Sequence, residues 1–196
     1  MKFAPLLPLI ALASLSGCAA FVGPVEVTRF HTPDTAALGK GAIAVEAGPG
    51  MDPASLEFKS YQSAVRQQLQ RIGYSDAAPG AGGQIALIKI ARIRILPPRN
   101  GNPVSVGGSM STGSFGSGVG LGIGIDLSGQ PRERVQTDLS VSIRDKANGT
   151  VLWEGRANFT VTSGSPLAET PLGAAKMAEA LFRDFPGHSG ETIEIK

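Results

Sequence analysis

The chain has 196 residues and a formal net charge of +2, from 18 lysines and arginines against 16 aspartates and glutamates. Such a balance produces no strong field, so we expect no nucleic-acid partner. Hydrophobic residues make up 42% of the chain, which permits a sizeable core. The 26 glycines and 14 prolines indicate many turns and at least one irregular segment.

The first residues have the pattern of a secretory signal. Lys2 precedes a short apolar run over 3–15, and small residues follow. The run is too short for a permanent membrane helix, which takes about 20 apolar residues. We therefore expect a signal peptide over 1–17, a short tether over 18–24 and one domain over 25–196.

The end of this signal resembles the lipobox of bacterial lipoproteins, with Leu15, Ser16 and Gly17 before Cys18, the sole cysteine of the chain. The resemblance implies cleavage before Cys18 and acylation of its thiol, hence a membrane partner through covalent lipid. Ala19 follows where an Asp would retain enteric lipoproteins in the inner membrane, which favours the outer membrane and a periplasm-facing domain. The alternative is a soluble secreted protein with an incidental thiol, and neither reading allows an internal disulfide.

The first half of the domain alternates strands with one clear helix. Strands are predicted over 25–30 and 42–47 from β-branched content and alternation. A helix is predicted within 51–74, where apolar residues recur at helical spacing and Asp52 or Ser55 can cap the first turn.

A long strand is predicted over 84–96. Its first half is apolar on both faces, which favours a central place in a sheet. Its second half alternates, so only one face should be buried. We expect the small and aliphatic set (Ala91, Ile93, Ile95) on that face and the arginines (Arg92, Arg94) on the other.

A β-hairpin over 134–162 is the most distinct element of the second half. Its two alternating runs flank Asn148-Gly149, and both residues tolerate positive φ. Trp153 falls on the apolar face, so a core position is favoured over a ligand-stacking role. On the polar face, Asp138 and Glu154 are expected to pair across strands with Arg156 or Arg144.

The complete order of elements predicts an α+β domain. A second helix over 171–185 and a closing strand over 191–196 give the order ββα-β-(Gly-rich)-ββ-α-β. This order is typical of a mostly antiparallel sheet with two helices packed on one face.

Several segments together resemble the bacterial lipoproteins that carry domain of unknown function 4136 (DUF4136). The resemblance follows the lipobox and spans most of 25–186, and its motifs are structural. They are the stretches VRQQLQRIGY, IALIKIARI, VSIRDKANGTVLWEGRA and LFRDFP. The stretch GAIAVEAG departs from the family, whose domains often begin with an aromatic-rich segment. The resemblance implies no activity.

A glycine-rich insertion over about 100–129 allows three interpretations. A phosphate loop is disfavoured because the stretch has no lysine and no helix opens after it. A membrane glycine zipper is disfavoured because the glycines have period two. The remaining interpretation is a loop over 100–117 leading into a strand that pairs with the hairpin. Its exposed edge could accept a partner strand, with contact residues Val119, Gly120, Leu121, Gly122, Ile123 and Gly124.

No pattern in the chain predicts catalysis. His31 and His188 are the only histidines and stand apart, and no metal-ligand spacing is present. We therefore expect no enzyme, no cofactor and no metal. The leading hypothesis is a binding or assembly module of the cell envelope that acts by protein contact. A carrier of a small apolar ligand is the first alternative, and an enzyme of unknown class the second.

Overall fold

A computed structural model describes residues 21–97, 104–110, 119–125 and 132–196, with the backbone alone for 104–110 and 119–125. The elements are numbered in chain order. They are β1 Val22–His31, β2 Ala42–Ala47, α1 Leu56–Arg71, β3 Ser75–Ala77, β4 Gln84–Ile95, β5 Val104–Met110, β6 Val119–Ile125, β7 Arg134–Asp145, β8 Val151–Thr162, α2 Thr170–Phe182 and β9 Thr192–Ile195.

Seven strands form one mixed sheet in the order β3-β2-β4-β7-β8-β1-β9. β2 runs parallel to β3 and β4, because α1 supplies the crossover that a parallel connection needs. The other neighbouring strands of this sheet are antiparallel. The predicted α+β class and the order of its long elements are confirmed. The short strand β3 is an addition that the sequence did not indicate.

The helix α1 begins where the sequence predicts and uses one of its two candidate caps. Ser55 Oγ accepts a hydrogen bond from the backbone N–H of Phe58 at 3.1 Å, which satisfies a free donor of the first turn. Asp52 instead accepts from Ala54 in the preceding turn. Gly73, with φ of +110°, lies just beyond the end of the helix. The face toward the sheet is buried through Phe58, Tyr61, Val65 and Leu69.

The second half of β4 faces the opposite way from the prediction. Arg92 lies opposite the buried Thr137 of β7 and therefore points to the helix side. Ile93 and Ile95 lie on the helix-free side and are 52% and 41% exposed. The buried first half decides the orientation: Ile88 is on the helix side, and side chains alternate strictly from there. The expectation that the aliphatic set is buried is wrong.

The β7–β8 hairpin closes through a longer connection than a two-residue turn. The strands pair from Arg144 opposite Val151, and the N–H of Gly149 donates to the carbonyl of Asp145 at 2.9 Å. Gly149 has a φ of +74°, whereas Asn148 does not adopt positive φ and instead accepts a hydrogen bond from the N–H of Thr150 through its side chain. The hairpin is confirmed, with a different turn.

Trp153 anchors the core, as the sequence predicts. It is fully buried, and its Nε1–H donates to the carbonyl of Pro186 at 3.0 Å. Its ring stacks on Phe182 with 5.3 Å between centroids and meets Phe185 at 5.2 Å. This aromatic group joins β8 to the end of α2.

A buried arginine makes a second connection between the sheet and α2. Arg29 of β1 donates from Nε to the carbonyl of Leu181 and from Nη2 to that of Ala180, both at 3.0 Å. These carbonyls belong to the last turn of the helix, where acceptors lack partners and the dipole favours a cation. Burial lowers the pKa of Arg29, and the charges of Asp184 and Glu191 act in the opposite direction.

The packing of Trp153 requires glycine at position 155. A Cβ at Gly155 would overlap the Trp153 ring and lie 2.8 Å from Cδ1 of Leu181. Gly155→Ala should lower the free energy of unfolding by about 1–3 kcal/mol through overpacking, measured by urea denaturation. Gly164→Ala is the matched control, because no atom lies within 4 Å of its added Cβ. Equal stability of the two variants would contradict this packing.

Candidate functional site

The two helices cover one face of the sheet and leave the other open. On that helix-free face, β7 and β8 present the polar half of their alternating patterns, while the apolar half is buried beneath the helices. This set comprises Gln136, Asp138, Ser140 and Ser142 of β7 and Glu154, Arg156, Asn158 and Thr160 of β8, of which Arg156 is exposed and the others are half-buried. A polar face of this kind needs no further covering for stability, so it is available to a partner.

A hollow of about 520 Å³ lies on this face, where β4, β7, β8, β1 and β9 run side by side. We call it the sheet hollow. Its polar lining is Glu26, Thr28, Lys89, Asp138, Ser140, Glu154, Arg156, Asn158 and Thr192. The hollow is open to solvent and is lined by both cationic and anionic groups.

Hydrogen bonds between neighbouring side chains organise this surface. The bonds join Arg156 Nε and Nη2 to Glu154 Oε1 (2.9 and 2.6 Å), Asn158 Nδ2 to Asp138 Oδ1 (2.5 Å) and Thr28 Oγ1 to Thr192 Oγ1 (2.7 Å). The expected pairing of Glu154 with Arg156 is present, although along one strand. Asp138 pairs with an amide instead of an arginine. The Arg156–Glu154 ion pair is exposed to solvent; a pair of this kind contributes at most about 1 kcal/mol and can exchange for a partner's groups.

The β1 side of the hollow carries an unfavourable juxtaposition of charge. Glu26 lies directly opposite Glu194 of β9, and like charges at facing positions destabilise a sheet. Glu26 also faces Asn158 of β8 on its other side. A partner that brings a cation or hydrogen-bond donors to this point would relieve the repulsion.

The groups with shifted pKa values lie away from the hollow. Burial raises the pKa of Tyr61 to about 12 and also raises that of Tyr74. Tyr61 Oη contacts Met177 Sδ at 3.9 Å, and Tyr74 Oη donates to Gln84 Oε1 at 3.1 Å. Both tyrosines pack on the helix side. Within 21–97 and 132–196, no three side chains of His, Cys, Asp or Glu converge as a metal site.

The space between the sheet and α1 bears on the carrier alternative. Ile43, Val45, Leu69 and Tyr74 line a gap there that has no free volume for a water molecule. A carrier would need an enclosed apolar cavity of several hundred Å³. The packing at this point therefore does not support a carrier.

The predicted lipidation residues, Leu15 to Cys18, lie outside the described part of the chain and stay a prediction. Phe21, three residues after Cys18, is the first residue described, and its N–H donates to Thr162 Oγ1 at 3.1 Å. No helix in the described ranges is long and apolar enough to cross a membrane.

The glycine-rich strand β6 exists, but its predicted partner is wrong. β6 pairs antiparallel with β5, from Val104 opposite Ile125 to Met110 opposite Val119, in a two-stranded sheet of their own. The hairpin has no free edge beside β7, because β4 and β8 pair along its two sides. The predicted loop over 100–117 thus contains β5. The proposed contact residues 119–124 all lie on β6.

Fold and surface together define an α+β domain with helices on one face of a mixed sheet and an open polar hollow on the other. The chain belongs to the family described as "Domain of unknown function (DUF4136)", whose model matches residues 44–187. This confirms the resemblance seen in the sequence. The match runs from β2 to just beyond α2 and so includes most of the sheet.

Known proteins are similar to this chain over most of its length. An uncharacterized protein of Zymomonas mobilis is 27% identical over 218 residues, covering 88% of this chain and 80% of that protein. A PDZ domain protein from Parabacteroides distasonis shares the fold with a TM-score of 0.50 at 14% identity. The match covers 89% of this chain but only 38% of that protein. A PelC dodecamer chain from Paraburkholderia phytofirmans gives a TM-score of 0.43 at 13% identity, covering 84% of this chain and 99% of that one.

The two tyrosines provide a direct test of the helix-side packing. An exposed tyrosine ionises near pH 10, so the folded chain should show little rise in absorbance at 295 nm there. In Tyr74→Phe, which retains only Tyr61, the midpoint should fall at about 12. Because the unfolded chain ionises first, the free energy of unfolding should decrease from about pH 10 towards 12. A midpoint near 10 in the folded variant would contradict the burial of Tyr61.

Proposed function

We propose that this protein is a lipid-anchored component of the bacterial outer membrane that faces the periplasm and binds another envelope protein through the sheet hollow, without catalysing a reaction. The observation that carries the proposal is the open, helix-free face of the sheet, which is polar along β7 and β8. It spans several strands, and hydrogen-bonding groups line a hollow of about 520 Å³ on it. Such an open surface suits a protein segment better than a small apolar molecule, which needs an enclosed cavity.

The anchoring rests on the resemblance of Leu15-Ser16-Gly17-Cys18 to a lipobox. Lipoproteins of that kind carry two or three acyl chains, and two suffice for stable anchoring where one does not. The folded sheet begins at Val22, four residues after Cys18. The tether is thus short, and the domain works close to the membrane to which the lipid holds it.

The binding mode follows from the charges around the hollow. Lys89 and Arg156 stand among three carboxylates, Glu26, Asp138 and Glu154. Mixed charge of this kind favours a specific protein partner over a polyanion such as nucleic acid. The repulsion between Glu26 and the facing Glu194 further favours a partner that presents a basic group at this point.

β6 is the second candidate contact. One of its sides is paired with β5, and its sheet contains no third strand in the described part of the chain. The other side is therefore suited to β-augmentation, in which a partner's extended segment adds a strand through backbone hydrogen bonds.

In-cell photo-crosslinking tests the proposal and separates the two contacts. With the probe at Lys89 or Arg156, we expect a discrete heavier adduct that identifies the partner. The same probe at Glu179, which is exposed on α2 away from the sheet, is the matched control and should give none. Adducts only from Val119 or Ile123 would move the contact to β6. The proposal would be contradicted if no probe in the sheet hollow or on β6 gave an adduct, or if Glu179 gave adducts equally well.

Two further measurements check the anchor in the same cells. Mass spectrometry of the mature chain should find Cys18 as its first residue, bearing diacylglycerol and an amide-linked acyl chain. Cys18→Ala should release the chain from the membrane fraction and weaken the adduct. An unmodified Cys18 would refute the lipoprotein assignment, and the crosslinking result would remain valid.

A further inference from the structure

The start of the described chain marks the side of the domain from which the anchor leaves. Val22 lies opposite Val161, near the end of β8. Phe21 is exposed, and its ring lies under the guanidinium of Arg134 at 4.5 Å from the centroid. Three residues of extended chain cover at most about 11 Å, so Cys18 lies within that distance of Phe21.

Several elements converge on the side from which the anchor leaves, which we call the anchor end. It is the edge of the sheet at which β1 and β7 begin and β4 and β8 finish. Val135 lies opposite Val161, and Arg134 lies opposite Ile95 at the end of β4. The chain also leaves β4 and returns to β7 at this edge, so both connections to the glycine-rich insertion start here.

Both helices begin toward the same end. Arg92, in the last third of β4, makes an ion pair with Glu57 of α1 at 3.7 Å and donates to Thr170 Oγ1 of α2 at 3.2 Å. Both partners lie in the first turns of their helices. The side chains of those first turns therefore belong to the anchor end.

Exposed apolar side chains are concentrated at the anchor end. Nine large hydrophobic residues of the described chain are exposed, and all but Phe30 and Val151 lie at this end. The seven are Phe21, Val22, Leu56, Ile93, Ile95, Leu96 and Leu172. Clusters of this kind on a soluble surface mark a contact with a partner or a membrane.

The charged side chains at the anchor end are compatible with this apolar contact. Arg94 has a largely exposed side chain and lies 3.7 Å from Glu133, while Arg92 is matched by Glu57. The guanidinium of Arg134 lies over Phe21, an arrangement suited to the polar–apolar boundary of a bilayer. The arginines at this end, which include the exposed Arg132, outnumber the two glutamates, so a modest positive charge would add to the attraction that the apolar side chains provide.

We propose that the anchor end lies directly on the membrane, with its seven apolar side chains inserted among the lipid headgroups and upper acyl chains. The inference rests on acylation of Cys18 in the proposed function. A headgroup layer is about 5–8 Å thick on each side of the bilayer, so a tether of about 11 Å keeps this end in contact with it. The strands then stand away from the bilayer, and the sheet hollow opens sideways into the periplasm.

Fluorescence quenching on lipid vesicles tests this orientation. The full-length lipidated protein is reconstituted in phosphatidylethanolamine–phosphatidylglycerol vesicles, where the acylated Cys18 leaves no free native thiol. Single cysteines at Leu96→Cys and Leu172→Cys carry a bimane label. Val151→Cys and Phe30→Cys are matched controls, since they replace exposed apolar residues at the opposite end. Nitroxide lipids should quench the first pair at least twofold more than the second, and aqueous iodide should show the reverse order.

Each other outcome overturns the inference. Equal lipid quenching at both ends would mean that the domain has no fixed orientation. Iodide quenching of Leu96→Cys and Leu172→Cys would place the anchor end in water, and shielding from both quenchers would mean that another part of the chain covers it. If these results come from protein whose acylated Cys18 is verified by mass, only the orientation fails. An unmodified Cys18 would instead remove the anchor of the proposed function.

Discussion

The covering of only one sheet face by α1 and α2 is the constraint on which the rest of this structure depends. Seven strands side by side present two faces, and the helices can bury only one of them. The apolar halves of β7 and β8 therefore pack beneath the helices, and their polar halves remain in water. Arg29 and Trp153 hold this layer in place by bonding backbone carbonyls at and beyond the end of α2. The open hollow is the consequence of a core built on one side.

Elements whose burial repeats strongly could be predicted from sequence. The helical spacing of α1 and the alternation of β7 and β8 each indicate one buried face, and Trp153 falls on the correct one. β4 shows where a local pattern is not sufficient. The alternation at its end permits either orientation, and the register with β7 turns the arginines to the helix side. The predicted partner of β6 was wrong for a related reason. Its partner β5 has a weak strand pattern, and β7 has no side left for it.

Only part of the candidate site could be predicted from the sequence. The alternation already placed Asp138, Ser140 and Ser142 on one face, and that face is the polar one. The hollow itself forms only because β1 lies between β8 and β9. β1 is more than 100 positions away from both strands in the sequence. The anchor end has the same origin. Phe21, Leu56, Leu96 and Leu172 are isolated apolar residues along the chain, and only the sheet order and helix directions bring them together.

The central claim is that the helix-free face is open in the protein and occupied by a partner in the cell. Cysteine reactivity on β7 and β8 tests both parts, with Ser140→Cys on the open face and Ala157→Cys, at a buried position, as control. A small charged thiosulfonate should label Ser140→Cys quickly in the purified protein and several-fold more slowly in intact cells, while Ala157→Cys stays unreactive in both. Equal labelling of Ser140→Cys in purified protein and in cells would contradict occupation of this face. Rapid labelling of Ala157→Cys would contradict the one-sided core itself.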